Sequence, residues 1–165
     1  MTDTILPEEI VTLARHVVDA NKAAGRKVVV AESCTGGLVA AALTEIPGSS
    51  AVLDRGFVTY SNEAKQETLG VALDIIDAFG AVSVACVYAM AQGALDRSGA
   101  DVAVAISGIA GPDGGTEQKP VGTVVFAKAV RGSDEPEAEE RLFEENDRAG
   151  VRRQATLVAL GLLLP

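Results

Sequence analysis

Residues Val28-Val29-Val30-Ala31-Glu32-Ser33-Cys34-Thr35-Gly36-Gly37 decide the fold. Four apolar residues run into an acid, two hydroxyls and a thiol, and two glycines then open the Leu38-Val39-Ala40-Ala41-Ala42-Leu43 run. A short apolar run stopped by glycines is expected to be a buried strand entering a turn, and the Leu/Ala run a helix. Hydroxyls, a thiol and backbone N–H groups then meet at a strand end beside a helix N-terminus. Ligands commonly bind there in open parallel sheets, and helix N-termini favour anions.

Working outward, Pro7–Ala24 is expected to be a helix stopped by Gly25, with Ile10, Leu13, Ala14, Val17 and Val18 on one face. Strands are expected at Val28–Ala31, Phe57–Tyr60, Val102–Ile106 and Val121–Val130, with a weaker edge strand at about Glu137–Glu145. Helices are expected at Gly37–Thr44, from Asn62 as cap to Leu69, from Ser83 as cap to Ser98 with Gly99 as stop, and at Asp147–Leu164. Early strand–helix alternation and a late hairpin predict an α/β protein. The expected form is a single three-layer α/β/α domain over residues 1–165 with a mixed, mainly parallel sheet.

Composition agrees. The chain has 165 residues and is 48% hydrophobic, enough for one domain with a full core, while aromatics are 4% and tryptophan is absent. Ala, Val, Leu and Ile must therefore fill the interior. Of the net charge of −9, residues 132–147 carry −7, so the acidity is one local patch. No basic footprint for nucleic acid is present. Met1–Pro7 lacks a basic start followed by an apolar stretch, and no apolar run is long enough to span a membrane. With only Cys34 and Cys86, a reduced, cytoplasmic setting is the simpler expectation.

Three loops follow strands: Glu32–Gly37, Tyr60–Lys65 and Ser107–Gly115. If their strands are parallel neighbours, all three open on one sheet edge. Ser33 is the candidate nucleophile, and it needs a base. His16 is the sole histidine and sits in the first helix beside the apolar face, so a Ser-His-Asp triad is disfavoured. Lys65 is the better base, since burial lowers a lysine pKa. Tyr60 is placed to donate to an oxyanion or relay a proton.

Cys34 is a rival nucleophile, but in extended chain it points opposite to Ser33, and packing is the simpler role for both cysteines. Thr35, Gly36, Gly37, Ser107 and Gly108 are candidates to bind an anionic small molecule, and backbone N–H groups near Gly36 or Gly108 to form an oxyanion hole. Arg148, Arg152 or Arg153 at the start of the last helix is a candidate to reach a phosphate or carboxylate. No His/Cys/carboxylate cluster has metal spacing, and Asp113, Glu32 and Glu63 are the acids that a divalent ion would have to use.

Four stretches carry a resemblance: Ala31–Gly37, Phe57–Lys65, Ser107–Pro112 and Lys119–Val124, with Asp147-Arg148 and Val151-Arg152 at the final helix. In this order they resemble the CinA C-terminal domain family over nearly the whole chain. The resemblance implies hydrolysis of the carboxamide of nicotinamide mononucleotide to nicotinate mononucleotide and ammonia, in pyridine-nucleotide salvage. It implies a Ser-Lys mechanism with no metal or other cofactor. Ser33 matches the nucleophile, Lys65 the base, Tyr60 a supporting group and Arg148 a phosphate-holding arginine. Ser107 stands where the family usually has Thr. The rival readings are a non-catalytic module that binds a nucleotide or a protein, and an amidase for another amide. A homo-oligomer is expected from general tendency.

Overall fold

The computed structural model describes residues 3–135, 137–144 and 147–165. Elements run α1 (Glu8–Ala24), β1 (Val28–Glu32), α2 (Leu38–Thr44), a short 3-10 turn (Ser49–Ala51), β2 (Leu53–Val58), α3 (Asn62–Leu69), α4 (Leu73–Phe79), α5 (Val84–Asp96), β3 (Val102–Gly108), β4 (Thr123–Val130), β5 (Glu137–Leu142) and α6 (Arg148–Leu162). One five-stranded sheet has the order β2-β1-β3-β4-β5. β1 is parallel to both β2 and β3, while β4 is antiparallel to β3 and to β5. Four strands thus point one way and β4 opposes them, and the mixed sheet with its late hairpin is as expected. Of the earlier expectations, the end of the edge strand at Glu145 and the start of the chain at Met1 lie outside the described residues.

The central strands bury both faces, and the side-chain alternation sorts them into two cores. Val28, Val30, Val102, Val104, Ile106, Val124 and Phe126 meet α1, α2 and α6. Val29, Ala31, Ala103, Ala105, Ala127 and Ala129 meet α5, whose own Cys86, Val87, Met90, Ala91 and Ala94 fill the other side. Small residues on the sheet let α5 lie close, which is why so few aromatics are needed. Each buried Val contributes about 1.5–3 kcal/mol.

Helix ends follow their residues. Gly25 ends α1 at φ 64°, a left-handed value that favours glycine. Ser83 Oγ accepts from Cys86 N–H at 3.1 Å and Asp147 Oδ1 from Gly150 N–H at 2.7 Å. The cap of α3 is Ser61, which accepts from Ala64 N–H at 3.0 Å, and not Asn62, which is the first helical residue. α5 ends at Asp96 with Arg97 as its C-cap, ahead of the expected stop at Gly99. β2 begins earlier than expected and ends before Tyr60. α4 was not expected at all. Among the described residues, no helix is long and apolar enough to cross a membrane.

Candidate active site

Because β2, β1 and β3 are parallel neighbours, their C-terminal loops open on one edge. Glu32 pairs with Val58 on one side and with Ile106 on the other. The ladder continues one step, with Thr59 N–H donating to Glu32 O at 2.9 Å and Ser33 N–H to Ile106 O at 3.0 Å. Thr59 and Ser33, one step past the ends of β2 and β1, therefore form a row of hydroxyl residues with Ser107 near the end of β3. By alternation their side chains lie on the α5 side, two residues on from the buried Ala31 and Ala105. A cleft of about 170 Å³ is lined there by Ser33, Cys34, Tyr60, Lys65, Ala81, Val82, Ser107, Gly108, Ala110 and Arg148.

Lys65, on the first turn of α3, is 1% exposed and turns its amine into this row. Nζ donates to Thr59 O at 2.7 Å and to Tyr60 O at 3.1 Å, and lies 3.0 Å from Ser33 Oγ. A lysine ammonium has three donors, and three acceptors surround this one. Carbonyl oxygens only accept. In the neutral amine both N–H groups stay on the two carbonyls, and the lone pair faces the Ser33 hydroxyl. Burial pushes the Lys65 pKa below its ordinary value of 10.5, opposed by Cys86 and Cys34. Burial thus shifts the balance toward the neutral amine, the form able to take the Ser33 proton, while the surrounding acceptors and the two thiols favour the ammonium.

Tyr60 is split between two jobs. Its carbonyl holds Lys65, while its exposed phenol meets Arg148 at the cleft mouth, where Arg148 Nη2 donates to Tyr60 Oη at 3.2 Å. Arg148 Nη1 also donates to Gly111 O at 2.7 Å, which fixes the guanidinium across the third loop. Gly108 forms the floor. A Cβ there would meet Val124 Cγ2 at 2.7 Å and Cys34 Sγ at 3.1 Å. Since Ile109 N–H donates to β4 through Thr123 O at 2.9 Å, alternation turns the Gly108 N–H away from β4, past the end of β1 and toward the cleft.

Cys34 points to the opposite core from Ser33, is 5% exposed, and has its thiol pushed up to about 11 chiefly by burial. It stays a protonated packing group at neutral pH. His16 is exposed on α1 beside Glu8, Glu9 and Thr12, away from the cleft.

A family model described as the CinA C-terminal domain matches residues 10–165. The chain belongs to this family. The nicotinamide-nucleotide amidohydrolase PncC of Escherichia coli K12 is 53% identical over 164 residues, covering 99% of this chain and 95% of that protein. A CinA-like protein of Mycobacterium marinum is 54% identical over 85% of this chain, which spans only 32% of that longer relative. Among solved structures, the competence/damage inducible protein CihA from Agrobacterium tumefaciens superposes with a TM-score of 0.94 at 46% identity, covering 98% of this chain and 97% of that one.

Within this CinA C-terminal domain, Ser33, Lys65, Tyr60, Ser107, Gly108 and Arg148 share the cleft. Thr35, Gly36 and Gly37 do not line it. They form the turn behind Ser33, where Gly36 N–H donates back to Ser33 O at 3.0 Å and so is not free for an oxyanion. Thr35 is fully buried and its hydroxyl has no partner. The N-terminus of α2 is not an open anion site either. Glu32, fully buried, accepts from Val39 N–H at 3.0 Å and Ala40 N–H at 3.1 Å with its two carboxylate oxygens. Both Glu32 oxygens are thus already engaged, and among the described residues no group of three or more His, Cys, Asp or Glu side chains is placed to hold a metal ion.

Two contributors escaped the sequence reading. Thr59 supplies the shortest contact to Lys65 through its carbonyl, and Glu32 acts as a cap. Only the parallel register and the position of α2 reveal them.

Proposed function

We propose that this protein hydrolyses the carboxamide of nicotinamide mononucleotide, giving nicotinate mononucleotide and ammonia, by a Ser-Lys mechanism. The observation that carries the chemistry is the 3.0 Å approach of Lys65 Nζ to Ser33 Oγ inside a lysine pocket of two carbonyls. The substrate comes from the 53% identical E. coli relative, which bears that activity in its name. Such a role suits a cytoplasmic enzyme of nucleotide salvage.

In this reading the Ser33 oxygen attacks the amide carbon as its proton passes to Lys65. The carbonyl oxygen takes up the negative charge, and the Gly108 N–H is the backbone donor aimed at it. As the C–N bond breaks, the Lys65 ammonium returns the proton to the leaving nitrogen, which departs as ammonia. Water then attacks the Ser33 ester, its proton passing through Lys65 back to Ser33 as the ester C–O bond breaks. The product is released as the acid, which loses its remaining proton to solvent to become the carboxylate. Arg148, held by Gly111 and Tyr60, reads the phosphate with its remaining N–H groups.

Ammonia release from nicotinamide mononucleotide, nicotinamide riboside and free nicotinamide tests this. The expected result is turnover of the mononucleotide with a kcat/KM at least about 100-fold above the other two. Equal turnover of riboside and mononucleotide would contradict the phosphate reading, and no turnover of any would contradict the enzyme.

A further inference from the structure

We infer that Glu32 is a positioning residue for the reaction proposed above, because its carboxylate closes the turn that holds Ser33 against Lys65. The inference rests on that reaction, and on an arrangement which the reaction itself does not require.

Helix α2 starts without a side-chain cap. Its N-cap is Gly37 at φ 104°, a conformation in which Ser, Thr or Asp is strained. The N–H groups such a cap would satisfy, those of Val39 and Ala40, are taken instead by a residue five positions earlier. Glu32 accepts one with each carboxylate oxygen, at 3.0 and 3.1 Å. A local cap would satisfy the helix but leave it free to shift against the strand. A cap drawn from the last residue of β1 ties the two elements together.

The main chain of Glu32 is itself fixed in the sheet, since its carbonyl accepts from Thr59 N–H at 2.9 Å. The Ser33–Gly37 turn is therefore strung between two ends of a single residue. Within it, Gly36 and Gly37 both have left-handed φ, at 60° and 104°, so the turn contains two positions that are loose by nature. From outside, Arg152 Nε donates to Cys34 O at 3.1 Å. Without the carboxylate, one buried and one part-buried helix donor lose their partners, and Ser33, the residue next to Glu32, loses the closure that sets its distance to Nζ.

The test uses the full chain with Glu32→Gln and Glu32→Ala. The amide of Gln keeps one acceptor and sets a donor against the second N–H. Steady-state ammonia release gives kcat and KM, and the rate at which a fluorophosphonate probe labels Ser33 reports the activated serine without the nucleotide. Circular dichroism verifies folding at the assay temperature. For Glu32→Gln we expect kcat to fall about 10- to 100-fold. KM should stay within about threefold of wild type, probe labelling should fall in parallel with kcat, and Glu32→Ala should lose more.

A folded Glu32→Gln protein with kcat and labelling within about twofold of wild type would overturn the inference. So would one unfolded at the assay temperature, since Glu32 would then serve global stability and not position. Wild-type protein that is labelled by the probe but inert toward the nucleotide would sink the substrate assignment alone, and the labelling ratio would still decide Glu32. Wild-type protein inert to both would overturn the reaction and the inference together.

Discussion

Lys65 Nζ lies 3.0 Å from Ser33 Oγ while two carbonyl oxygens, of Thr59 and Tyr60, accept its other hydrogens at 2.7 and 3.1 Å. The contact joins residues 32 positions apart, and in the proposed mechanism it makes a nucleophile and a base out of groups that are poor at both in water.

Replacing Lys65 by Met removes the base and keeps the bulk. The expected loss in kcat is about 10²- to 10⁴-fold, the usual range for general acid–base catalysis. In wild type the acid limb of kcat/KM reports the free amine, so activity rises with pH and the limb lies below 10.5, because burial lowers the Lys65 pKa. Cys34 cannot supply this limb, with its thiol near 11. A kcat/KM profile still climbing as an unperturbed lysine would, through pH 10.5, contradicts the reading.

The same shift has a sign in stability. Between the lowered folded-state pKa and 10.5 the unfolded chain holds a proton on Lys65 that the folded chain does not, so stability rises with pH there. Below the folded pKa both states are protonated, and the cost of the buried ammonium is fully present. Lys65→Met abolishes this term. Its stability relative to wild type, followed by urea unfolding across pH, should be greatest at low pH and decline toward pH 10.5. A difference that does not change with pH would refute it.

How α3 is held gives a prediction remote from the chemistry. Gly93 of α5 sits against the C-terminal end of α3, and a Cβ there would lie 2.0 Å from Leu69 O. Alanine in a helix interior ordinarily gains about 1 kcal/mol over glycine. Here the overlap is with backbone, and overpacking costs about 1–3 kcal/mol or more. Gly93→Ala is therefore expected to lower Tm in a thermal melt and to reduce kcat through displacement of Lys65. Unchanged Tm and kcat would show that α3 can move freely.

Much of this was readable before the structure. Val28–Ala31 and Val102–Ile106 announced themselves as apolar runs because both faces of the central sheet are covered. The capping role of Ser83 and the stop at Gly25 were local and so legible. Only the end of β2 was legible, at Phe57 and Val58, because the polar Asp54 and Arg55 and then Gly56 break up the apolar pattern of this edge strand. Gly56 is there for packing, since a Cβ would come within 3.1 Å of Ala40 Cβ on α2. The seven-residue α4 packs on α5 and is too short to show a period.

In the site, Ser33 and Lys65 stood out by type once His16 was set aside. The carbonyls of Thr59 and Tyr60 carry no mark in a sequence, because every residue has one. Glu32 read as a possible ligand until α2 was in place to receive it.

The most direct measurement is steady-state ammonia release from nicotinamide mononucleotide by Ser33→Ala beside the wild-type protein. Loss of an attacking oxygen leaves the cleft and Arg148 in place but no covalent route, so the rate is expected to fall by about 10³-fold or more with the variant still folded. A Ser33→Ala protein that releases ammonia within a few-fold of the wild-type rate would contradict the account at its centre.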